Sequence, residues 1–426
     1  MAEIVLMRNF ANADSHTLGA YRRGGGYAAW DKARQMEPAA ITEEVKKANL
    51  RGLGGAGFPT GAKWSFIPKT HTGPVYLVVN ADEGEPGTFK DRYLLERDPH
   101  ALIEGMLIAA RAIRCTKGFV YIRGEYVQPW RRFSAAVQEA YDGGLLGQGF
   151  DVVVHRGAGA YICGEETGLL SSLEGKKGWP KIKPPFPAIK GAFGQPTIVN
   201  NVETLCCVPP IIARGAEWFA GLGTKTQGGT RMYSVSGRVK KPAVYEASVS
   251  ITLRQLIEMA GGVSGTGRLK AVVPGGGSAA ILTAHEIDVT MDVDGLKAAG
   301  TMIGSAGVMV MDESVSIPEA LMVLARFYAH ESCGQCPPCR EGTYWLYEIV
   351  NRIRTGKGRP EDIDLMLSIC PDMLGRTVCV LADSAAIPAA SYIKKFRGEF
   401  EAYIARAKAP ERTLHPGGVN LEARAL

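Results

Sequence analysis

The spacing of apolar and polar residues changes character three times along the chain. Over 41–50, charged and apolar positions recur at helical spacing with Thr42 placed as an N-cap, and the glycine stretch 52–61 ends that helix. Short β-type apolar runs follow at 75–80, 119–123 and 151–155. Helical patterns separate them: 99–114, where Leu102, Met106, Ala109 and Ile113 fall one turn apart, then 133–141 and 165–173. Alternating strand and helix predicts an α/β region to about residue 223, interrupted by a Pro-rich loop at 179–187.

The texture then shifts over 224–230. Runs 231–237 and 243–247 predict a hairpin, 252–260 a short helix, and 269–273 and 308–311 further strands, which together make a small α+β unit. From Ser316 the pattern is helical, beginning with Ser316-Ile317-Pro318-Glu319 as a capping box. Helices are predicted at 317–330, 341–355, 361–374 and 385–407, the last with Ile393, Phe396, Phe400 and Ile404 on one face, and 410–426 reads as a tether. The fold class expected is therefore multidomain: α/β over 1–223, α+β over 224–312 and all-α over 313–426, each domain with its own core.

Composition narrows the function. A net charge of +6 over 426 residues, with no dense Lys/Arg run, argues against a nucleic-acid partner. No apolar stretch reaches the roughly 18 residues of a membrane span. The N-terminus carries no signal- or transit-peptide pattern, so an unprocessed cytoplasmic protein is expected. Glycine is high, 52 residues, and calls for functional loops. The nine cysteines suit metal ligation or core packing better than a disulfide framework.

Cys333-Gly-Gln-Cys336-Pro-Pro-Cys339 is the sharpest signal, because three thiolates at this spacing can converge from one turn onto a [4Fe-4S] cluster. Thr343 stands where a bacterial ferredoxin would place its fourth cysteine. Cys379, in the loop 375–381, is the expected fourth ligand, whereas Cys370 continues the apolar face of Ile363, Met366 and Leu367 and reads as core. Zinc or packed thiols remain the alternative. Cys115, Cys163, Cys206 and Cys207 read as buried small hydrophobes.

The segment from Gly52 to Trp64 formally satisfies G-x-G-x-x-G with Gly52, Gly54 and Gly57, but a helix precedes it where a dinucleotide fingerprint needs a strand. Its glycines still allow close backbone approach to a flat or phosphorylated ligand, Lys63 adds a charge, and Phe58 and Phe66 could stack on a purine. Two more turns follow strands. One holds Asp82 and Glu85; the other holds Tyr161, Gly164, Glu165 and Glu166, whose carboxylates suit ribose hydroxyls or ring N–H groups better than phosphate. The triple glycine at 275–277 reads as a turn.

Taken in order, GLGGAGFPTGAKW, NADEGEPGTFKDR, HRGAGAYICGEE, KPPFP, NNVET and ESCGQCPPCREG closely resemble the NADH-oxidising, flavin-bearing subunit of bacterial respiratory complex I from about residue 40 to about 405. The resemblance implies a modified Rossmann-type flavin/NADH domain, a ubiquitin-like β-grasp domain and a C-terminal four-helix bundle with one [4Fe-4S] cluster on Cys333, Cys336, Cys339 and Cys379. It implies FMN against Gly52, Gly54, Gly55, Lys63, Asn80, Asp82, Tyr161, Gly164, Glu165, Asn200, Asn201 and Thr204. NADH is implied at Phe58, Lys63, Phe66, Glu85, Glu166 and Phe186. Leu53 departs from the family, many of whose members have Arg there. Hydride transfer would be the cofactors' chemistry, with no catalytic side-chain acid or base. Implied partners are a thioredoxin-like [2Fe-2S] subunit and a large iron–sulfur subunit, at the cytoplasmic side of the bacterial inner membrane, with quinone as final acceptor. A diaphorase subunit of an NAD-linked hydrogenase or formate dehydrogenase, and a non-redox zinc or nucleotide-binding scaffold, are the other readings.

Overall fold

A computed structural model describes residues 3–407, so the expected tether at 410–426 lies outside the described residues. Four parallel strands, β1 (Tyr76–Ala81), β2 (Lys117–Ile122), β3 (Asp151–Arg156) and β4 (Thr197–Asn201), form a sheet in the order β3-β2-β1-β4. Leu77, Val78 and Val79 are all fully buried in β1, the continuous apolar run expected of a parallel strand covered on both faces. On one face, the helix Pro99–Ile113 buries nearly its whole length against a core that includes Leu77, Val79, Val120 and Ile198.

A second sheet, mixed in direction, has the order β6-β5-β9-β7-β8: β5 (Thr230–Gly237), β6 (Ala243–Ser248), β7 (Leu269–Val273), β8 (Leu282–Thr283) and β9 (Gly307–Asp312). β5 and β6 pair antiparallel as the expected hairpin, and β9 joins β5 in parallel. Its helix Leu253–Met259 starts with a capping box between Thr252 and Gln255. A second helix, Val293–Ala298, and the two-residue β8 were not foreseen.

Four helices follow: Ile317–Glu331, Pro337–Arg354, Glu361–Met373 and Leu381–Ala407. The second begins inside the cysteine motif, with Cys336 as its N-cap residue, four residues earlier than the apolar pattern suggests. Proline at its first positions is already shaped for helix and has no N–H to leave unbonded.

Local capping expectations fared less well. Thr42 is not an N-cap: the helix runs Pro38–Lys47, and the Thr42 hydroxyl donates to the Pro38 carbonyl at 3.2 Å from the helix interior. The Ser316 capping box does not form either: Ser316 is the N-cap residue but its side chain makes no cap hydrogen bond, Glu319 accepts from the Tyr403 hydroxyl instead, and the first helical N–H, of Ile317, donates to the Glu399 carboxylate at 3.1 Å. In both cases a partner distant in sequence, or a proline, supplies what the local motif would have supplied.

Nor does each domain keep a core to itself. The mixed sheet has its own cluster around Tyr233, Leu256, Val272 and Val308. A larger cluster, however, joins Val78, Phe119 and Val199 of the parallel sheet to Ala271 and Val273 of the mixed sheet and to Leu321, Leu346 and Ile393 of the C-terminal helices. The three regions are therefore welded by apolar packing, which holds the loops between them in fixed register.

Candidate functional site

The strand order of the parallel sheet reverses between β1 and β4. Loops leave such a pair in opposite directions and open a crevice beyond the carboxyl ends. Asn80 and Asn201 are register partners at that end, with Asn200 beside Val79. Asn80 donates to the Gly164 carbonyl at 2.8 Å and accepts the Asp82 N–H at 3.0 Å, which ties the loop after β1 to the turn after β3. Asp82 Oδ2 is buried with no hydrogen-bond partner, and burial pushes this carboxyl up to about 7 against the pull of Arg123. A buried acceptor without a donor is costly, so the crevice has an unmet demand for an N–H or O–H group.

The glycine loop closes over this crevice as a hairpin rather than as a strand–helix turn. Gly52 N–H donates to the Phe58 carbonyl at 2.9 Å, and Thr60 N–H to the Leu50 carbonyl at 2.9 Å. The short helix Thr60–Trp64 follows, and Trp64 Nε1 donates to Asn200 Oδ1 at 2.9 Å. Leu53 N–H donates to the Thr204 hydroxyl at 2.8 Å, while its carbonyl accepts from the buried Arg231 at 2.9 Å. Thr204 is fully buried, so it reaches the crevice only through this backbone bond. A Cβ at Gly54 would stand 2.8 Å from Asn201 Cβ, so the loop lies directly on the end of β4. Gly55 differs: its φ is +136°, and a Cβ there would meet no protein atom within 4 Å. Its open side is a cradle that a side chain would fill.

A ring of charge lies beside the loop. Glu165 caps the helix Glu166–Leu173 through the Thr167 and Gly168 N–H groups at 2.8 and 3.0 Å. Lys183 Nζ reaches both Glu165 at 3.1 Å and Glu166 at 2.7 Å, and Lys63 Nζ meets Glu166 at 3.0 Å. Burial raises the Glu166 carboxyl, but the two lysines outweigh it and hold the group below the usual range, so it is ionised at neutral pH. Phe58 and Phe66 sit 5.8 Å apart between ring centroids, and they and Phe186 are 46%, 51% and 56% exposed. Exposed aromatic rings around a charged rim make an unusual free surface and a natural stacking platform.

Glu85 is the most heavily bonded of the expected nucleotide contacts. It accepts from the Tyr161 hydroxyl at 2.7 Å and from both the N–H and hydroxyl of Ser278 at 2.7 and 2.6 Å. Ser278 follows the triple glycine, which is indeed a turn: Gly277 N–H donates to the Pro86 carbonyl at 2.9 Å, and a Cβ on Gly276 would strike Glu85. The mixed sheet thus buttresses the loop after β1.

Cys333, Cys336 and Cys379 are half-buried and Cys339 is buried, all packed on the same core. The Val378 N–H points to Cys336 Sγ at 3.4 Å, which brings the loop carrying Cys379 onto the motif. Burial pushes the Cys379 thiol up to about 12, and Glu165, Cys339 and Cys333 add to the rise, so all lie within electrostatic range. Cys370 packs in the same core: it is 2% exposed, and its thiol donates to the Met366 carbonyl at 3.2 Å. Cys115, Cys163, Cys206 and Cys207 are buried. Among the described residues, no group of three or more His, Cys, Asp or Glu side chains converges on a single-ion position.

Three family models match the chain in order: the Nuo51 FMN-binding domain over residues 45–210, an SLBB domain over 231–310, and the NADH-ubiquinone oxidoreductase-F iron-sulfur binding region over 319–403. The second F-type NADH-quinone oxidoreductase subunit of Rhizobium meliloti (strain 1021) is 50% identical over 419 residues, covering 96% of this chain and 100% of the relative. The chain belongs to the family of F-type NADH-quinone oxidoreductase subunits. The F-type subunit of Mycobacterium tuberculosis (strain ATCC 25618 / H37Rv) is likewise 50% identical, over 420 residues, covering 95% of this chain and 94% of the relative. A solved NAD+-reducing [NiFe]-hydrogenase in the H2-reduced state superposes with a TM-score of 0.85 at 35% identity, covering 96% of this chain and 67% of that one. The hydrogenase likeness marks a related family.

As an F-type NADH-quinone oxidoreductase subunit, the chain carries its FMN-domain match on the parallel sheet and crevice, and its iron–sulfur match on all four candidate ligands. No helix among the described residues is long and apolar enough to cross a membrane. Two site residues escaped sequence reasoning. Lys183 bridges Glu165 and Glu166, yet in sequence it is one lysine in a Pro-rich loop; only its place before Pro184-Pro185 hinted at a fixed position. Arg231 is 1% exposed and holds the Leu53 carbonyl, although its sequence context is merely a β-strand.

Proposed function

We propose that the chain is the electron-input subunit of a complex I assembly, with FMN in the crevice between β1 and β4. The observation that supports this placement most is the cradle itself: an open glycine at position 55, an orphaned Asp82 carboxylate and the glycine hairpin, all at a topological switch point. In finer terms we read residues 1–223 as a modified Rossmann-type domain, 224–312 as a ubiquitin-like β-grasp domain and 313–426 as a four-helix bundle with its tail. Bound there, FMN would take a hydride from NADH, and a [4Fe-4S] cluster would carry electrons one at a time.

The chain's own residues position and shield. Gly52, Gly54 and Gly55 let the backbone approach the flavin, with Lys63, Asn80, Asp82, Tyr161, Gly164 and Glu165 around it. Asn200, Asn201 and Thr204 act by fixing the loop above. Phe58, Phe66 and Phe186 would stack the adenine, with Glu85 and Glu166 near the nucleotide. Soft thiolates of Cys333, Cys336, Cys339 and Cys379 would hold the cluster. A thioredoxin-like [2Fe-2S] subunit and a large iron–sulfur subunit would take the electrons, at the cytoplasmic side of the bacterial inner membrane.

Anaerobically purified protein should show a flavin absorption spectrum together with iron and acid-labile sulfide. It should reduce ferricyanide with NADH, yet reduce quinone negligibly without its partners. Zinc in place of iron, or rapid partner-free quinone reduction, would overturn the reading.

Glu166→Ala should change the choice of nucleotide. A carboxylate facing the adenosine ribose repels the 2′-phosphate of NADPH. Its removal also leaves Lys63 and Lys183 without their shared counter-ion, so the local sign of charge becomes attractive to that phosphate. One charged hydrogen bond is worth about 1–3 kcal/mol, so the NADPH:NADH ratio of kcat/KM should rise roughly tenfold to a hundredfold in ferricyanide assays. An unmoved ratio would pass the discriminating role to Glu85.

A further inference from the structure

The helix Ile317–Glu331 runs directly into the cysteine motif, and the residue at the junction touches a candidate cluster ligand. Ser332 Oγ lies 3.2 Å from Cys339 Sγ. The same oxygen accepts the Gly334 N–H at 3.4 Å. With Gly334 engaging its acceptor side, the hydroxyl proton is free to point at sulfur. Either group could donate while Cys339 is a thiol; a deprotonated ligand has no proton left, so the serine must then be the donor.

We propose that Ser332 sets the reduction potential of the iron–sulfur cluster by donating an O–H···S hydrogen bond to Cys339. The proposal rests on the reading that Cys333, Cys336, Cys339 and Cys379 hold such a cluster. An added electron spreads negative charge onto the ligand sulfurs, and a hydrogen bond donated to one of them stabilises the more negative, reduced state. The potential is therefore held higher than the thiolates alone would set it. Cys339 is 5% exposed, so little water screens this bond. Among the described residues, the Val378 N–H on Cys336 and the Leu381 backbone bond to Cys379 also engage ligand sulfurs, and both belong to the backbone. Ser332 is the side-chain lever.

The surroundings allow the hydroxyl to be removed without releasing the segment. Trp179 Nε1 donates to the Cys333 carbonyl at 3.2 Å, and the Glu331 carboxylate accepts the Tyr161 N–H at 3.0 Å, so both sides of Ser332 are anchored independently.

The test is an EPR-monitored redox titration of the full-length, cluster-loaded chain as wild type, Ser332→Ala, Ser332→Thr and Ser332→Val, with iron and sulfide measured on each. The midpoint potential should be more negative in Ser332→Ala and Ser332→Val and close to wild type in Ser332→Thr, at equal cluster content. Threonine and valine have nearly the same shape, so their difference isolates the hydroxyl even if alanine disturbs the packing. Wild-type potentials in the alanine and valine variants, or equal shifts in threonine and valine, would overturn the proposal. So would loss of the cluster from both hydroxyl-free variants while threonine retains it, which would make Ser332 an assembly residue. A wild-type protein without iron and sulfide would instead overturn the cluster reading on which the proposal stands.

Discussion

Gly55→Val is expected to give a folded protein that no longer retains FMN. The backbone cost is bounded: a β-branched residue held at φ +136° is strained by roughly 1–3 kcal/mol, which a domain stable by about 5–15 kcal/mol survives. The steric cost falls elsewhere. Since a Cβ at this position meets no protein atom within 4 Å, the new side chain occupies the open volume of the cradle and collides with whatever lies there. Forcing two methyl groups into a fitted space costs on the order of 1–3 kcal/mol, or about a tenfold to hundredfold loss of affinity, before the blocked backbone approach is added. Gly54→Ala makes the informative contrast, because its methyl strikes Asn201 inside the protein and should lower thermal stability first. Flavin content of the purified variants, a fluorescence titration with FMN and a melting curve separate the two outcomes. Stoichiometric FMN at unchanged affinity in Gly55→Val would move the flavin away from the glycine hairpin.

Cys379→Ser and Cys370→Ser should part company completely. Serine offers a harder, far less acidic oxygen where the cluster calls for thiolate, so Cys379→Ser should lose the cluster or convert its EPR signal. The melting temperature should fall as well, since metal-site binding energy is part of the folding energy. Cys370 lies on the buried face of the helix Glu361–Met373 and donates to the Met366 carbonyl, a bond a hydroxyl can repeat. Its replacement should cost about 1 kcal/mol of stability for polar burial and leave iron and sulfide untouched. The reverse pattern would move the fourth ligand to Cys370.

Of the fold and site, what the sequence alone determined is what depends on neighbours along the chain. The helix Pro99–Ile113 was legible because its apolar residues recur one turn apart, and strands β1, β2 and β3 because each is a short apolar run between loops. The cysteine run and the glycine-rich loop were legible because ligand spacing and positive φ need particular residue types at fixed offsets, but the hairpin form of that loop was not. Tertiary structure decided the rest. β4 is only five residues long, set between Pro196 and a helix, and it exists because β1 offers it a parallel edge; that pairing creates the switch point on which the crevice depends. Lys183 and Arg231 gain their places from partners 17 to 178 residues away, and the helix start at Ile317 is satisfied by Glu399, 82 residues away, without a cap bond from Ser316. Periodicity reports which side of an element is buried. It carries no information about which distant charge or strand will meet that side, because that choice is made by the packing energy of the whole core.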